Sequence, residues 1–453
     1  MVVYLWVKNN IFFLLSFGII FSVVLIRGQY LGYDTGIYRH NFILISDAIY
    51  NGHFGGIFDA IKSEPPGLYG IVAVLSYAGI SVDNILVAGF GLSFLFLGIS
   101  LYFFVKNIFG KKSACLTFFL FATSIIQLES HFFMLFKSVF SLIFGIWALY
   151  FLVKNKYLLS SLFAVLAGLI HPLAFMFFIF GLMAYYIIIR DKSIILAGLM
   201  CLASLALIYN IYNHELIIGL LSNTINHSFV FSPNYYGGKF YGLSDYFLFA
   251  PHYIVFAIYG TIILKKKKSK EGQLLIGMAL IILSLILFKF YFYNRLIIYL
   301  DIIVLMLAGL GLENMASRFD KKTLKIVLSG AFTTLLTVMI LFYLFSRKPE
   351  IISTELEEIK SLCSVEQNVS VFITEPRLAP WAYGYSCREV IAPNIFGNDK
   401  FSTDDWNKFW ESGDLGMLSI YKKPIYIVAG KEYAKNFNRE RLAQYGNIIY
   451  RLE

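Results

Sequence analysis

Two short acidic and aromatic clusters hold most of the side chains in this sequence that are equipped for chemistry. The first is Gly32-Tyr33-Asp34-Thr35-Gly36-Ile37-Tyr38-Arg39-His40, and the second is Lys62-Ser63-Glu64-Pro65-Pro66-Gly67-Leu68-Tyr69-Gly70. A carboxylate such as Asp34 can take a proton from an attacking hydroxyl or amine, or hold a divalent cation. Its neighbours Gly32, Tyr33 and Thr35-Gly36 permit a turn that redirects the side chain. Asp34 is equally placed to be the N-cap of a helix, because Ile37 to Tyr50 carries apolar residues at helical spacing. The Pro pair after Glu64 opens a further helix, in which Glu64 is either a solvated side chain or a second acid facing the same space as Asp34.

The elements that must position these clusters are membrane helices. Hydrophobic residues make up 58% of the chain and charged residues 15%, with a mean hydropathy of +0.70. A soluble domain of that composition would expose large apolar patches. The formal charge of +10 does not indicate nucleic acid, because Lys and Arg sit in short clusters between apolar runs, as in cytoplasmic loops. Crossing about 30 Å of hydrocarbon takes about 20 apolar residues. On that measure about eleven spans are expected, near 10–26, 84–105, 113–129, 132–153, 157–171, 173–189, 193–212, 246–264, 272–290, 295–312 and 323–345. The first reads as a retained signal anchor, since no small-residue cleavage pattern follows it. The apolar stretch from Pro65 to Ile80 is shorter than a span and reads as a re-entrant or juxtamembrane helix.

Charge orients this arrangement. With the N-terminus inside, one set of loops collects Lys106, Lys111, Lys112, Lys154, Lys156, Arg190, Lys192, Lys265 to Lys268, Lys270, Arg318, Lys321, Lys322 and Lys325. Basic residues resist translocation, so that set is cytoplasmic. The loop 27–83, the loop 213–245 and everything after Arg347 then face outside. Beyond Ile351 the apolar runs shorten to strand length, at 369–373, 389–392 and 424–428, between Pro, Gly, Asn and Asp turns. Helical pattern flanks them from Ser353 or Thr354 to Leu362, and from Lys431 to Leu442. The fold class is therefore a polytopic α-helical membrane protein, residues 1–346, with a small extracytoplasmic α/β domain, residues 347–453.

The order of these features resembles the GT-C superfamily of polyprenyl-phosphate-dependent glycosyltransferases, in particular the branch of lipid A aminoarabinose transferases and protein mannosyltransferases. The matching elements are an apolar helix followed by Asp34, Tyr38 four residues later, and Pro65-Pro66-Gly67-Leu68-Tyr69. Phe109-Gly110-Lys111-Lys112 and Asn294-Arg295-Leu296-Ile297-Ile298-Tyr299 match two further elements of that branch. The chain departs from the pattern at three places: Glu64 stands where the branch commonly has Lys, Thr35 follows Asp34 where a second acid is common, and Lys137 lies where an Asp is usual.

The resemblance implies an inverting transfer of a sugar from a polyprenyl phosphate to an extracytoplasmic lipid, glycan or protein, with Asp34 as base. It implies a site lined by Tyr33, Tyr38, Arg39 and Glu64, with Arg295 and Lys137 near the phosphate. A guanidinium binds two phosphate oxygens at once, which ranks Arg295 above Lys289. Lys137 is otherwise a side chain that snorkels to the interface, and His171, before Pro172, is either a turn residue or a site residue. The His, Asn, Tyr and Gly residues of 213–245, including Tyr235 to Lys239, suit either sugar stacking or a solvated loop. No cofactor is required by the pattern, although a divalent cation would suit Asp34. Cys363 and Cys387 share the external domain and form either a disulfide or two thiols, depending on the compartment. Two other classes fit a polytopic chain: a polysaccharide polymerase, which usually lacks a trailing α/β domain, and a transporter, which would show matched broken helices.

Overall fold

The computed structural model describes residues 2–27, 32–53, 64–227, 240–290, 293–318, 322–365, 371–388, 390–392, 400–421, 423–438 and 441–452. Two long helices flank the first cluster: α1 (Val2–Arg27) precedes it and α2 (Thr35–Tyr50) grows out of it. The second cluster opens α3 (Pro66–Tyr77), which has Pro at its first turn, where no backbone donor is needed. Then come α4 (Val82–Phe109), with a π-helical turn at Ile85–Gly89, α5 (Lys111–Ala122), α6 (Ile125–Phe132), α7 (Phe136–Val153), α8 (Tyr157–Ile170) and α9 (Pro172–Ile189). The bundle continues with α10 (Lys192–His227), α11 (Leu243–Phe249), α12 (Pro251–Lys267), α13 (Lys270–Leu287), α14 (Leu296–Ser317) and α15 (Lys322–Ser346).

Helices stand at all eleven expected places, and a smaller number meets the length and hydropathy of a full span. Among the described residues, six helices are long and apolar enough to cross a membrane, or up to eight if each of two bent pairs is one span. The pairs are α5 with α6, bent by 50°, and α11 with α12, bent by 93°. Each coincides with a run expected to be one span, 113–129 and 246–264. Helix α8, with 14 residues, reaches only about 21 Å at 1.5 Å per residue, so an apolar run alone overstated it. Helix α3 is short and apolar, as expected of a helix that does not cross. The expected loop 213–245 is helical as far as His227, because Leu216-Ile217-Ile218-Gly219-Leu220-Leu221 prolongs the apolar pattern of α10. The run Tyr235 to Lys239, together with Lys62 and Ser63, lies outside the described residues.

Helix α14 is the centre of the bundle. The most apolar stretch of it is 89% buried, and its neighbours are α5, α12 and α13. The side chains that fill this core are Phe, Leu and Ile almost throughout, with Phe90, Phe94, Phe118 and Tyr299 fully buried.

The C-terminal unit is an α/β layer structure. Its strands are β1 (Val371–Thr374), β2 (Val390–Ile391), β3 (Ile425–Val428), β4 (Leu442–Gln444) and β5 (Ile449–Leu452), in the order β2-β1-β3-β5-β4. β1 runs parallel to both β2 and β3, with Val371 opposite Ile425 and Thr374 opposite Val428, while β5 is antiparallel to β3 and β4. Helices α16 (Ser353–Ser361) and α17 (Ala379–Tyr385) belong to one apolar cluster, with Trp381, Tyr385 and Tyr426. Helix α18 (Thr403–Ser412) belongs to the other, with Trp406, Phe409, Ile373 and Ile427. Cover on both faces explains why all four β3 residues are buried and why its sequence does not alternate. The three expected strands are present. The expected helix from Lys431 to Leu442 shrinks to one turn, α19 (Lys431–Ala434), because Leu442–Gln444 is drawn into pairing with β5. Cys363 and Cys387 form a disulfide.

Candidate functional site

Asp34 occupies the N-cap position of α2, yet its side chain makes no capping hydrogen bond. The turn is closed instead by Thr35, whose backbone N–H and hydroxyl both donate to the Gly32 carbonyl, at 3.1 and 2.7 Å. Gly32 is pressed against α6: a Cβ there would lie 2.2 Å from the Phe132 carbonyl oxygen. Position 32 therefore tolerates no side chain, and the turn that carries Asp34 is held from both ends. The half-buried carboxylate acts electrostatically on the phenols of Tyr38 and Tyr69. Glu64 also acts on Tyr69, so the two acidic clusters converge on one pair of tyrosines.

Lys137, at the start of α7, completes that convergence. Its ammonium forms an ion pair with Glu64 and lies 5.0 Å from the Tyr69 ring centre and 5.6 Å from that of Tyr38, within reach of a cation–π attraction. Asn41 donates to the Tyr69 hydroxyl at 3.0 Å, and the Lys137 backbone N–H donates to the Tyr38 hydroxyl at 3.4 Å. Burial pushes the Tyr38 phenol well above its ordinary value, with Lys137 pulling the other way. Tyr38 is therefore a neutral hydroxyl at physiological pH. Of the three departures from the family pattern, two are now one interaction: Glu64 and Lys137 hold each other.

His171 ends α8 and caps α9, its Nδ1 accepting the Leu173 N–H at 3.2 Å. In a neutral ring that bond leaves the proton on Nε2 as a donor. Arg295, at the N-cap position of α14, and Lys137 both act electrostatically on the His171 ring. Lys137, His171 and Arg295 thus share one neighbourhood, although they come from three helices. Beside it lies an apolar cavity of about 360 Å³ between α3, α7 and α8, lined by residues that include Gly67, Gly70, Phe144, Leu166 and Ile170. Ile170 adjoins His171 in sequence, and Gly67 follows Glu64 by three residues.

Tyr33 and Arg39 are placed differently. The Tyr33 hydroxyl donates to the Pro376 carbonyl at 3.1 Å. Arg39 binds Asp83 at 2.8 Å, donates to the Gly384 carbonyl at 2.6 Å and stacks over the Tyr385 ring at 4.3 Å. Both side chains reach the C-terminal unit instead of the Lys137 cluster. The contact they serve is close: a Cβ on Gly36 would fall 1.7 Å from the Pro380 oxygen, and one on Gly384 would fall 2.4 Å from the Gly36 oxygen. His40 faces Tyr383 with ring centres 3.8 Å apart. Helix α17 therefore lies against α2 directly after Asp34.

Two buried acids escaped the sequence reading. Asp301, on α14, accepts hydrogen bonds from Tyr253 at 2.6 Å and from Ser124 and Gln127 at 2.9 Å each, which ties the break between α5 and α6 to the centre of the bundle. Glu129, fully buried on α6, pairs with Arg347 at 3.2 Å. The available signal was an acid inside an apolar run, which is costly unless it has polar partners. Among the described residues, no group of three or more His, Cys, Asp or Glu side chains is arranged to hold a metal ion.

No protein-family profile matches the sequence, and no curated protein is similar to it. Solved structures do resemble it in fold. ArnT from Cupriavidus metallidurans in the apo state superimposes with a TM-score of 0.61 at 12% identity, covering 100% of this chain and 98% of that one. The same protein bound to undecaprenyl phosphate gives 0.58 at 11% identity, covering 99% and 97%. The archaeal oligosaccharyltransferase AglB from Archaeoglobus fulgidus, in complex with an inhibitory peptide and a dolichol-phosphate, gives 0.58 at 13% identity, covering 93% and 70%. At the level of the fold the resemblance is borne out: the chain shares the fold of ArnT and of the archaeal oligosaccharyltransferase over most of its length.

Proposed function

We propose that this protein is an integral-membrane glycosyltransferase that moves a sugar from a polyprenyl phosphate to an acceptor outside the cytoplasm. The observation that carries the reading is the apolar cavity along α3 and α8, whose lining residue Ile170 directly precedes His171, together with the electrostatic grouping of Lys137 and Arg295 around that histidine. A prenyl chain suits the cavity, and a phosphate suits two cations and an N–H donor. Solved structures of this fold hold undecaprenyl phosphate and dolichol-phosphate, which supports the same donor chemistry here. The Lys265 to Lys268 cluster between α12 and α13 supports a cytoplasmic N-terminus and an external C-terminal unit, because such clusters resist translocation.

In the proposed reaction the acceptor hydroxyl or amine gives its proton to the Asp34 carboxylate as its oxygen or nitrogen attacks the anomeric carbon. The bond from that carbon to the phosphate oxygen breaks, and its electron pair departs with the polyprenyl phosphate. One displacement inverts the anomeric centre. Negative charge grows on the phosphate, where Lys137 and Arg295 stabilise it in a site largely screened from water. Replacing Asp34→Asn removes the base while keeping the shape. Transfer from a polyprenyl-phosphate sugar should fall at least about 100-fold, with expression and membrane insertion unchanged. Mass spectrometry of envelope glycans and lipids, with and without the protein, identifies the product, and full activity of the Asn variant sinks the assignment.

A further inference from the structure

We infer that Glu64 is a built-in competitor for Lys137, occupying in the donor-free protein the place that the phosphate takes when a prenyl phosphate binds. The inference rests on the donor reading above and concerns how that site is regulated.

Three observations carry it. The Lys137 side chain is 12% exposed and that of Glu64 31%, so the carboxylate lies on the open side of the pair and the ammonium on the closed side. The ammonium is also held by the faces of Tyr38 and Tyr69. Those rings remain when the carboxylate leaves, so Lys137 keeps its position and only Glu64 has to move. Glu64 belongs to no helix and stands immediately before the Pro pair that opens α3, where the preceding residue is held extended. Its side chain can therefore swing without unwinding an element.

The ligand that displaces it is defined by the surroundings. An anion arriving at Lys137 meets the Glu64 carboxylate as a repulsive neighbour and the same three ammonium protons as a shared partner. A free phosphate has only the polar groups to set against that repulsion. A phosphate at the end of a prenyl chain has more, because the chain gains about 25 cal/mol for each square ångström of apolar surface it buries, and the cavity that begins at Gly67 is apolar. The pair thus admits a phosphate that comes with its lipid and excludes small anions. Self-competition lowers apparent affinity by the fraction of molecules in which Lys137 is available.

The test uses the purified full-length protein in detergent with undecaprenyl phosphate as probe and undecaprenol, which lacks the phosphate, as its control. Glu64→Gln should bind undecaprenyl phosphate about tenfold more tightly than the unaltered protein. Lys137→Gln should bind it more weakly than either, and undecaprenol should bind all three alike. In the unaltered protein, carbodiimide labelling of Glu64, read by mass spectrometry, should rise on adding undecaprenyl phosphate and stay constant with undecaprenol. Equal or weaker binding by Glu64→Gln, or labelling that falls, overturns the competitor role and leaves the donor reading standing. Failure of all three proteins to distinguish undecaprenyl phosphate from undecaprenol overturns the donor reading and the competitor role with it.

Discussion

Helix α2 meets α17 backbone to backbone at Gly36, whereas α3 and α8, which touch at Gly67, part beyond it around a cavity of about 360 Å³. Both contacts involve glycine, and the glycines do opposite things. Gly36 is small because the Pro380 carbonyl already occupies the place of its Cβ, while Gly70 borders the cavity with nothing within 4 Å of the same position. The first contact fixes the geometry behind Asp34. The second leaves room for a ligand. Close packing and open space are thus both built around glycines, and the pair α3 and α8 has one of each, at Gly67 and at Gly70.

The comparison breaks most visibly at Gly36. Gly36→Ala places a methyl group 1.7 Å from a carbonyl oxygen, and overpacking of this kind costs about 1–3 kcal/mol or more. The expected result is separation of α17 from α2, seen as new protease cleavage in the C-terminal unit and as loss of transfer. Gly70→Leu should behave in the opposite sense. It fills the cavity without a clash, so the melting temperature should hold or rise while use of a long-chain donor falls about tenfold or more. A large loss of stability in Gly70→Leu would show that the cavity is not open space.

A smaller effect is expected at the disulfide, which fastens the end of α17 to the segment after α16. Cys363→Ser removes a covalent link worth about 3 kcal/mol to the unfolding of a small unit. Thermal unfolding and protease resistance should drop for the C-terminal unit while the membrane helices are unaffected, and a reductant should reproduce the change in the unaltered protein. The smallest effect concerns His40, at the same contact. Burial holds its imidazole below the ordinary value of 6.5, with a hydrogen bond to the Tyr383 backbone opposing. The native state then binds fewer protons than the unfolded one, so this contribution is fully present above about pH 6.5 and is lost as the pH falls below it. His40→Phe keeps a ring against Tyr383, and the apparent melting temperature should depend less on pH between 8 and 5.

The residues of the site were legible to different degrees for reasons that differ physically. Asp34, Tyr38 and the Pro pair stand in short local patterns, and the structure keeps each where the pattern puts it. The Glu64 and Lys137 substitutions looked like two separate departures, because nothing local says that side chains 73 residues apart will pair. Arg39 entered the site through the resemblance. Its partner at Gly384 is 345 residues away, and no local pattern announces it. Asp301 and Glu129 were passed over because hydropathy averages a single acid into its apolar surroundings.

By itself the sequence determined the apolar character of the chain, the places of its long helices and the short apolar helix that the Pro pair opens. Those properties depend on side chains within a few turns of each other, through hydrophobicity, helical spacing and proline. The tertiary structure alone decided the bends at residues 123–124 and 250, the disulfide, the docking of α17 on α2 and the meeting of Glu64 with Lys137. Each of these depends on which distant surfaces pack together, and packing, unlike hydropathy, is a property of pairs.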